Sequence, residues 1–271
     1  MSEQKLIDVE QIIASKNPKI LKWLPTFIIN YLKRTIHQDD INTILIENKS
    51  KFDYDFAHDI IERFHIKIEV IGIENIPKLG GCILASNHPL GGIDALAIVT
   101  SLKDYRRDLK FVVNDILLHL KNLNGLFVGV NKHGSNSKES LNSVNELFSS
   151  DRAVFVFPAG LVSRKSNGKV RDLEWKKTFI TQAKKHQKNI IPLRVDGELS
   201  SFFYRLAAIR KFLGIKANIE MLFLAQETFK QQNKTIKIIF GKPIPYQTFD
   251  KTKNDKEWAE WVKEQVYELW N

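Results

Sequence analysis

A single cysteine, Cys82, occurs in 271 residues, so no internal disulfide can form and no zinc site built on paired cysteines is available. It lies in the apolar run Cys82-Ile83-Leu84-Ala85 and reads as a small buried hydrophobe rather than a nucleophile. The sequence has no G-x-S-x-G elbow, no G-x-x-x-x-G-K-[ST] loop, no H-E-x-x-H helix and no G-x-G-x-x-G after a strand. Those absences disfavour a serine or cysteine hydrolase, and they imply no metal and no tightly bound cofactor. Long hydrophobic runs are missing too. The longest near the start, residues 20 to 32, contains Lys22 and Pro25 and falls short of the ~20 apolar residues that cross a bilayer. Glu3, Asp8 and Glu10 interrupt the first residues, so no signal peptide is expected and the protein is expected to be cytoplasmic.

Charge of one sign is in excess. Lys and Arg total 41 against 31 Asp and Glu, a formal net charge of +10, which calls for an anionic membrane surface, an acidic carrier protein or nucleic acid. Between residues 200 and 214, Phe202, Phe203, Leu206, Ile209, Phe212 and Leu213 recur at helical spacing, while Arg205, Arg210 and Lys211 supply cations. A basic helix of this kind fits a headgroup layer, although the same apolar stripe can instead pack onto a sheet. Trp23 and Phe27 offer a second membrane contact. The aromatics follow core spacing and build no basic stacking platform, which argues against nucleic acid. Peripheral association with the inner face of the cell membrane is the expectation.

With 43% hydrophobic residues the chain can bury a full core. Helical signals run to about residue 64, an N-terminal extension over 1–64. Residues 65–271 then alternate strand and helix. Ile66, Ile68 and Val70 alternate with Lys67 and Glu69 as a half-buried first strand. Further strands are expected at 81–85, 109–113, 126–130, 153–157, 190–195 and 236–240, and helices at 95–102, 115–121, 138–148, 173–186 and 256–270. The fold class is therefore α/β, a largely parallel sheet covered by helices on both faces. Stretches 133–137 and 165–170 collect Gly, Ser, Asn and Lys and read as loops.

The segment richest in chemistry is Asn87-His88-Pro89-Leu90-Gly91-Gly92-Ile93-Asp94, released from the buried strand that holds Cys82. An imidazole with an ordinary pKa of about 6.5 accepts a proton near neutrality, and a carboxylate on its other nitrogen sets its tautomer. Asp94 is equally a good N-cap, and His88 an ordinary turn residue. The remaining histidines, His37, His58, His65, His119, His133 and His186, carry no comparable constellation.

Three more segments follow in order: Gly125-Leu126-Phe127-Val128-Gly129-Val130-Asn131-Lys132, Phe157-Pro158-Ala159-Gly160-Leu161-Val162-Ser163-Arg164, and Ile190-Ile191-Pro192-Leu193. Together with His88 and Asp94 they resemble the phospholipid/glycerol acyltransferase superfamily over roughly residues 66 to 245. That family's pattern has four residues between histidine and aspartate, a glycine-led strand ending in arginine, F-P-E-G-T-R, and an apolar segment around a proline. Here five residues separate His88 from Asp94, Gly91 and Gly92 among them; Ala159 stands where the family has glutamate, and Asn131 where it has arginine. These departures look like the branch of hemolysin-like proteins and of the enzymes that N-acylate ornithine or glycine.

The resemblance implies a glycerolipid acyltransferase-like fold and transfer of a fatty acyl group from acyl carrier protein, the expected donor and partner, or from acyl-CoA as co-substrate. His88 and Asp94 are the expected catalytic residues. Asn87, Gly91, Gly92, Lys132, Phe157, Pro158, Ala159, Gly160, Arg164 and Lys165 are the expected substrate contacts. An amino-acid amine is the expected acceptor. O-acylation of lysophosphatidic acid or another lysophospholipid, and a non-catalytic basic membrane or nucleic-acid module, are the alternatives.

Overall fold

A computed structural model describes residues 7–16, 18–114, 117–118, 120–130, 137–166 and 168–270. Lys132 and the loop at 133–136 lie outside the described residues, as does part of the helix expected at 115–121. The chain divides into two compact units, one of residues 52–199 with 232–271, the other of residues up to 51 with 200–231.

The larger unit is built on a seven-stranded sheet: β1 Lys67–Ile71, β2 Cys82–Ser86, β3 Lys110–Asn114, β4 Phe127–Val130, β5 Ala153–Val156, β8 Ile190–Val195 and β9 Thr235–Phe240, in the order β1-β9-β8-β2-β5-β3-β4. Two further strands, β6 Arg164–Ser166 and β7 Lys169–Arg171, pair antiparallel as a separate hairpin across the stretch expected to be loop. All neighbours in the main sheet are parallel except β8 and β9. Strand β2 is central and all five of its residues are buried, which explains its unbroken apolar run. Because β2, β5 and β8 run the same way, they release Asn87, Phe157 and Asp196 at one rim.

One face of the sheet, carrying Ile83, Ala85, Val154 and Val156, packs with Trp175, Phe179 and Ala183 and with Trp258, Val262 and Val266. These come from the region of the helix Thr178–His186 and from the C-terminal helix Asp255–Glu268, whose start is held by a capping box between Asn254 and Glu257. Two helices, Asp53–Arg63 and Gly92–Leu102, pack on each other and bury Phe56, Ile60, Ala97 and Ile98. At the opposite rim, buried Arg106 donates to the carbonyls of Pro77, Gly80 and Asp151 and pairs with Asp108, gathering loops before β2, β3 and β5.

The helical unit contains helices Val9–Lys16, Pro18–Trp23, Thr26–Thr35 and Gln38–Glu47, followed much later by Ser201–Phe212 and Leu224–Phe229. Its two chain segments meet where His37 stacks on Phe229 at 4.1 Å. Buried Glu227 accepts hydrogen bonds from the backbone N–H and hydroxyl of Ser200 and pairs with Lys230; together these donors hold its carboxyl below the usual glutamate range despite burial.

Two further expectations change. The division at residue 64 gives way to one at 51, with residues 200–231 in the helical unit: helix Asp53–Arg63 buries its apolar face within the sheet unit, while Phe203, Tyr204 and Ala207 are buried on Ser201–Phe212. The first strand is largely exposed at Val70 and Ile71 instead of half-buried, because it is an edge strand paired to β9 alone. Phe179 is fully enclosed in the core, so Phe179→Ala is expected to lower unfolding free energy by about 3–5 kcal/mol. Urea denaturation checks this.

Candidate active site

His88 leaves the end of β2 and its Nδ1 lies 2.9 Å from Asp94 Oδ2. The inserted loop position does not separate the pair. Gly91 takes φ 76° and ψ −136°, a conformation that side-chain-bearing residues avoid, and the turn it makes carries the chain into the helix Gly92–Leu102. Asp94 sits in the first turn of that helix, completely buried, where the helix dipole favours its charge. Its side chain does not cap the helix: Oδ2 turns back to accept from the N–H of Leu90 at 2.9 Å as well as to meet the imidazole. Burial pushes the Asp94 carboxyl up, the His88 and Leu90 contacts oppose that rise, and nearby Asp172 adds to it.

The imidazole is about five-sixths covered, with 17% of its side chain exposed, and stacks on Phe157 from the end of β5 at 3.9 Å and 23°. With Nδ1 committed to Asp94, Nε2 is the nitrogen left for chemistry. Phe157 is itself braced edge-on by Phe155.

The other expected contacts divide. Asn87 braces the loop as well as bordering the cleft beside it: its side-chain amide donates to the carbonyl of Val195 and accepts from the N–H of Val195, both at 2.8 Å, locking the histidine loop to β8. Ala159 is packed in the core, a small residue where a glutamate would be buried. Pro158 is buried, and its carbonyl accepts from the N–H of Lys176. Gly160 is exposed at φ 66°, and its N–H is spent on the carbonyl of Phe157. Gly92 is exposed with open space where a side chain would be. Arg164 opens the hairpin and donates to the carbonyl of Val162, and Lys165 pairs at 3.5 Å with Glu198. Cys82 is buried and its thiol is pushed up to about 11 by desolvation, as expected of a packing residue.

Two expected membrane contacts are also corrected. Phe203 is fully buried by its helix's inner face, and Arg210 forms an ion pair at 2.8 Å with completely buried Glu220. Phe202 and Arg205 face outward, as do Lys211, Trp23 and Phe27.

Sequence reasoning missed a second carboxylate. Asp172, 84 residues from His88 in the chain, accepts from the backbone N–H of His88 at 3.1 Å and from the hydroxyl of Ser163 at 2.5 Å through Oδ1. Its Oδ2 accepts from Trp175 Nε1 at 2.8 Å, and its own N–H donates to the hydroxyl of Tyr267. No motif spacing marks its contact with the site, since His88 and Tyr267 are 84 and 95 residues away along the chain. Beside this network an open cleft of about 530 Å³ is lined by Asn87, Pro89, Ser163, Arg171, Arg194 and Tyr267, among others. Among the described residues no group of three or more His, Cys, Asp or Glu is arranged to hold a metal ion.

The family described as Acyltransferase matches residues 11–271. The chain belongs to this acyltransferase family. It is an acyltransferase of the glycerolipid acyltransferase superfamily, as the motif order indicated. It is 48% identical over 265 residues to the lyso-glycine lipid O-acyltransferase of Bacteroides thetaiotaomicron, covering 97% of both chains. It is 45% identical over 265 residues to the lyso-glycine lipid O-acyltransferase of Phocaeicola vulgatus, covering 97% of this chain and 95% of that one. The solved 1-acyl-sn-glycerophosphate (LPA) acyltransferase PlsC of Thermotoga maritima matches with a TM-score of 0.49 and 19% identity over 89% of this chain and 95% of that one. Among the described residues no helix is long and apolar enough to cross a membrane.

Burial also raises the Asp172 carboxyl against the pull of its donors, so the folded acyltransferase holds that proton more tightly than the unfolded chain. The stability this contributes is fully present below the ordinary value of 3.8 and is lost as pH rises through the raised pKa. Asp172→Asn, which does not titrate, is expected to show a shallower decline of unfolding free energy with pH across that window. Denaturant titrations at successive pH values from 3.8 upward check it.

Proposed function

We propose that this acyltransferase esterifies a hydroxyl of a lyso-glycine lipid with a fatty acyl chain taken from an acyl thioester. The observation that carries the reading is the His88–Asp94 contact at the strand-end rim, in a chain that matches lyso-glycine lipid O-acyltransferases along nearly its full length. An O-acyltransferase acylates oxygen. The altered motifs pointed to an amine, but glycine offers only its amine and carboxylate, so an esterifiable hydroxyl belongs to the lipid's acyl chain. We therefore place the acceptor atom there.

In this reading His88 Nε2 takes the hydroxyl proton as the oxygen attacks the thioester carbonyl. Asp94 holds the Nδ1–H tautomer and stabilises the imidazolium. The C–O bond forms, the C–S bond breaks, and the thiolate leaves; a thiol of pKa about 8.5 needs little acid assistance. With the N–H of Gly160 donated to Phe157 and that of Asp94 to Gly91, the N–H groups of Gly92 and Ile93 at the start of the helix Gly92–Leu102 are the donors this reading assigns to the oxyanion. Acyl carrier protein or coenzyme A carries the chain in.

The lipid acceptor brings the helical unit to the inner face of the cell membrane. Phe212 and Trp23 are 89% and 88% exposed, Ile209 and Leu213 are exposed beside Phe212, and Arg205 and Lys211 lie on the same segment.

Purified protein given acyl-carrier-protein or CoA thioesters and lyso-glycine lipid should yield a two-chain product that mild alkali cleaves back to the lyso form, as an ester is and an amide is not. His88→Ala should lower turnover by about 10²–10⁴-fold. Alkali-resistant product made from free glycine would replace the hydroxyl acceptor by the amine, and undiminished turnover in His88→Ala would remove the imidazole from the chemistry. Phe212→Asp should weaken sedimentation with anionic vesicles by about tenfold, the cost of withdrawing one phenyl ring from the headgroup layer.

A further inference from the structure

We propose that Asp172 is a positioning residue for the reaction, a second buried carboxylate that fixes the peptide of His88 so that the imidazole keeps its aim between Asp94 and Phe157. The inference rests on the reading of His88 as the base. Both backbone polar atoms of His88 are spoken for by one segment. Its N–H donates to Asp172 Oδ1, and its carbonyl accepts from the N–H of Ser163 at 2.8 Å, while the Ser163 hydroxyl donates to that same Oδ1. The loop that opens the β6–β7 hairpin and the residue that follows it are thereby closed on the histidine.

Asp172 is in turn held from the core side. Trp175, completely buried, donates its ring N–H to Oδ2, and Tyr267 on the C-terminal helix receives the N–H of Asp172. The carboxylate is 6% exposed and accepts three hydrogen bonds, and among the described residues no lysine or arginine forms an ion pair with it. An amide cannot reproduce this. An asparagine presents an NH₂ to either Trp175 or the His88–Ser163 pair, all of which are donors, so one side of the network must break. The titratable and charged groups that face this assembly are His88 and Asp94, Tyr267 and Glu260 from the C-terminal helix, with Glu260 accepting from the backbone N–H of Trp175, and Arg171 and Arg194, whose guanidinium groups lie over the Tyr267 ring at 4.4 and 5.4 Å.

A loop residue that only shores up the fold and one that aims a base respond differently to substitution. Asp172→Asn should lower kcat per folded molecule by about 10²-fold, the scale of an ångström-sized misplacement, with KM for the thioester changed by less than about twofold. The low-field proton resonance of the Nδ1–H between His88 and Asp94 should broaden or vanish in the same variant. Should Asp172→Asn fail to fold, Ser163→Ala removes one donor while leaving the backbone contact, and it should lower kcat by about tenfold, again with KM unchanged. Turnover per folded molecule equal to wild type in these variants, or an intact low-field resonance in Asp172→Asn, overturns the proposal. The resonance reads ring placement without turnover, so a wild-type protein inactive on lyso-glycine lipid would overturn the acceptor reading and leave the test of Asp172 in place.

Discussion

A buried carboxylate facing an imidazole at 2.9 Å is the constraint around which the rim of the sheet is arranged. Burying Asp94 carries a desolvation cost that a bare hydrophobic core would not repay. The cost is offset by two contacts to one oxygen, from His88 and from the N–H of Leu90, and by the start of the helix that carries the residue. Each contact requires a particular backbone path. Gly91 supplies the turn, and Asn87 clamps the loop to β8 through a two-way pairing with Val195.

The sheet supplies what this loop cannot. Parallel pairing of β2 with β5 and with β8 puts three strand ends at one level, so that Phe157 reaches the imidazole face and Val195 reaches Asn87. Open α/β sheets concentrate ligand sites beyond the carboxyl ends of their strands, where the loops from neighbouring strands converge. The antiparallel seam between β8 and β9 leaves this rim undisturbed, since it lies beyond β8 in the strand order.

The departures from the superfamily pattern acquire physical meaning in this setting. Ala159, in place of a glutamate, is a core residue, and the carboxylate that accepts from the N–H of His88 is Asp172, after the β6–β7 hairpin. The extra residue before Asp94 is absorbed by a glycine at positive φ. The helical unit shows a parallel economy, with one helix, Ser201–Phe212, burying Phe203 and Tyr204 on one side and leaving Phe202 and Ile209 exposed on the other.

The sequence by itself determined the α/β class, the order of the strands along the chain and the His88–Asp94 pair, because each depends on local patterning: apolar runs for buried strands, and two chemical groups six positions apart on one loop. Phe157 was legible as part of a motif, though not as a stacking partner. Only the tertiary structure decided that Asp172 and Tyr267 converge on that loop, that Asn87 is a brace, that Phe203 and Arg210 face inward, and that residues 200–231 join the N-terminal helices. Those facts depend on which element packs against which. A side chain's hydrogen-bonding capacity is written in its residue type, whereas its partner is chosen by the packing of segments distant along the chain.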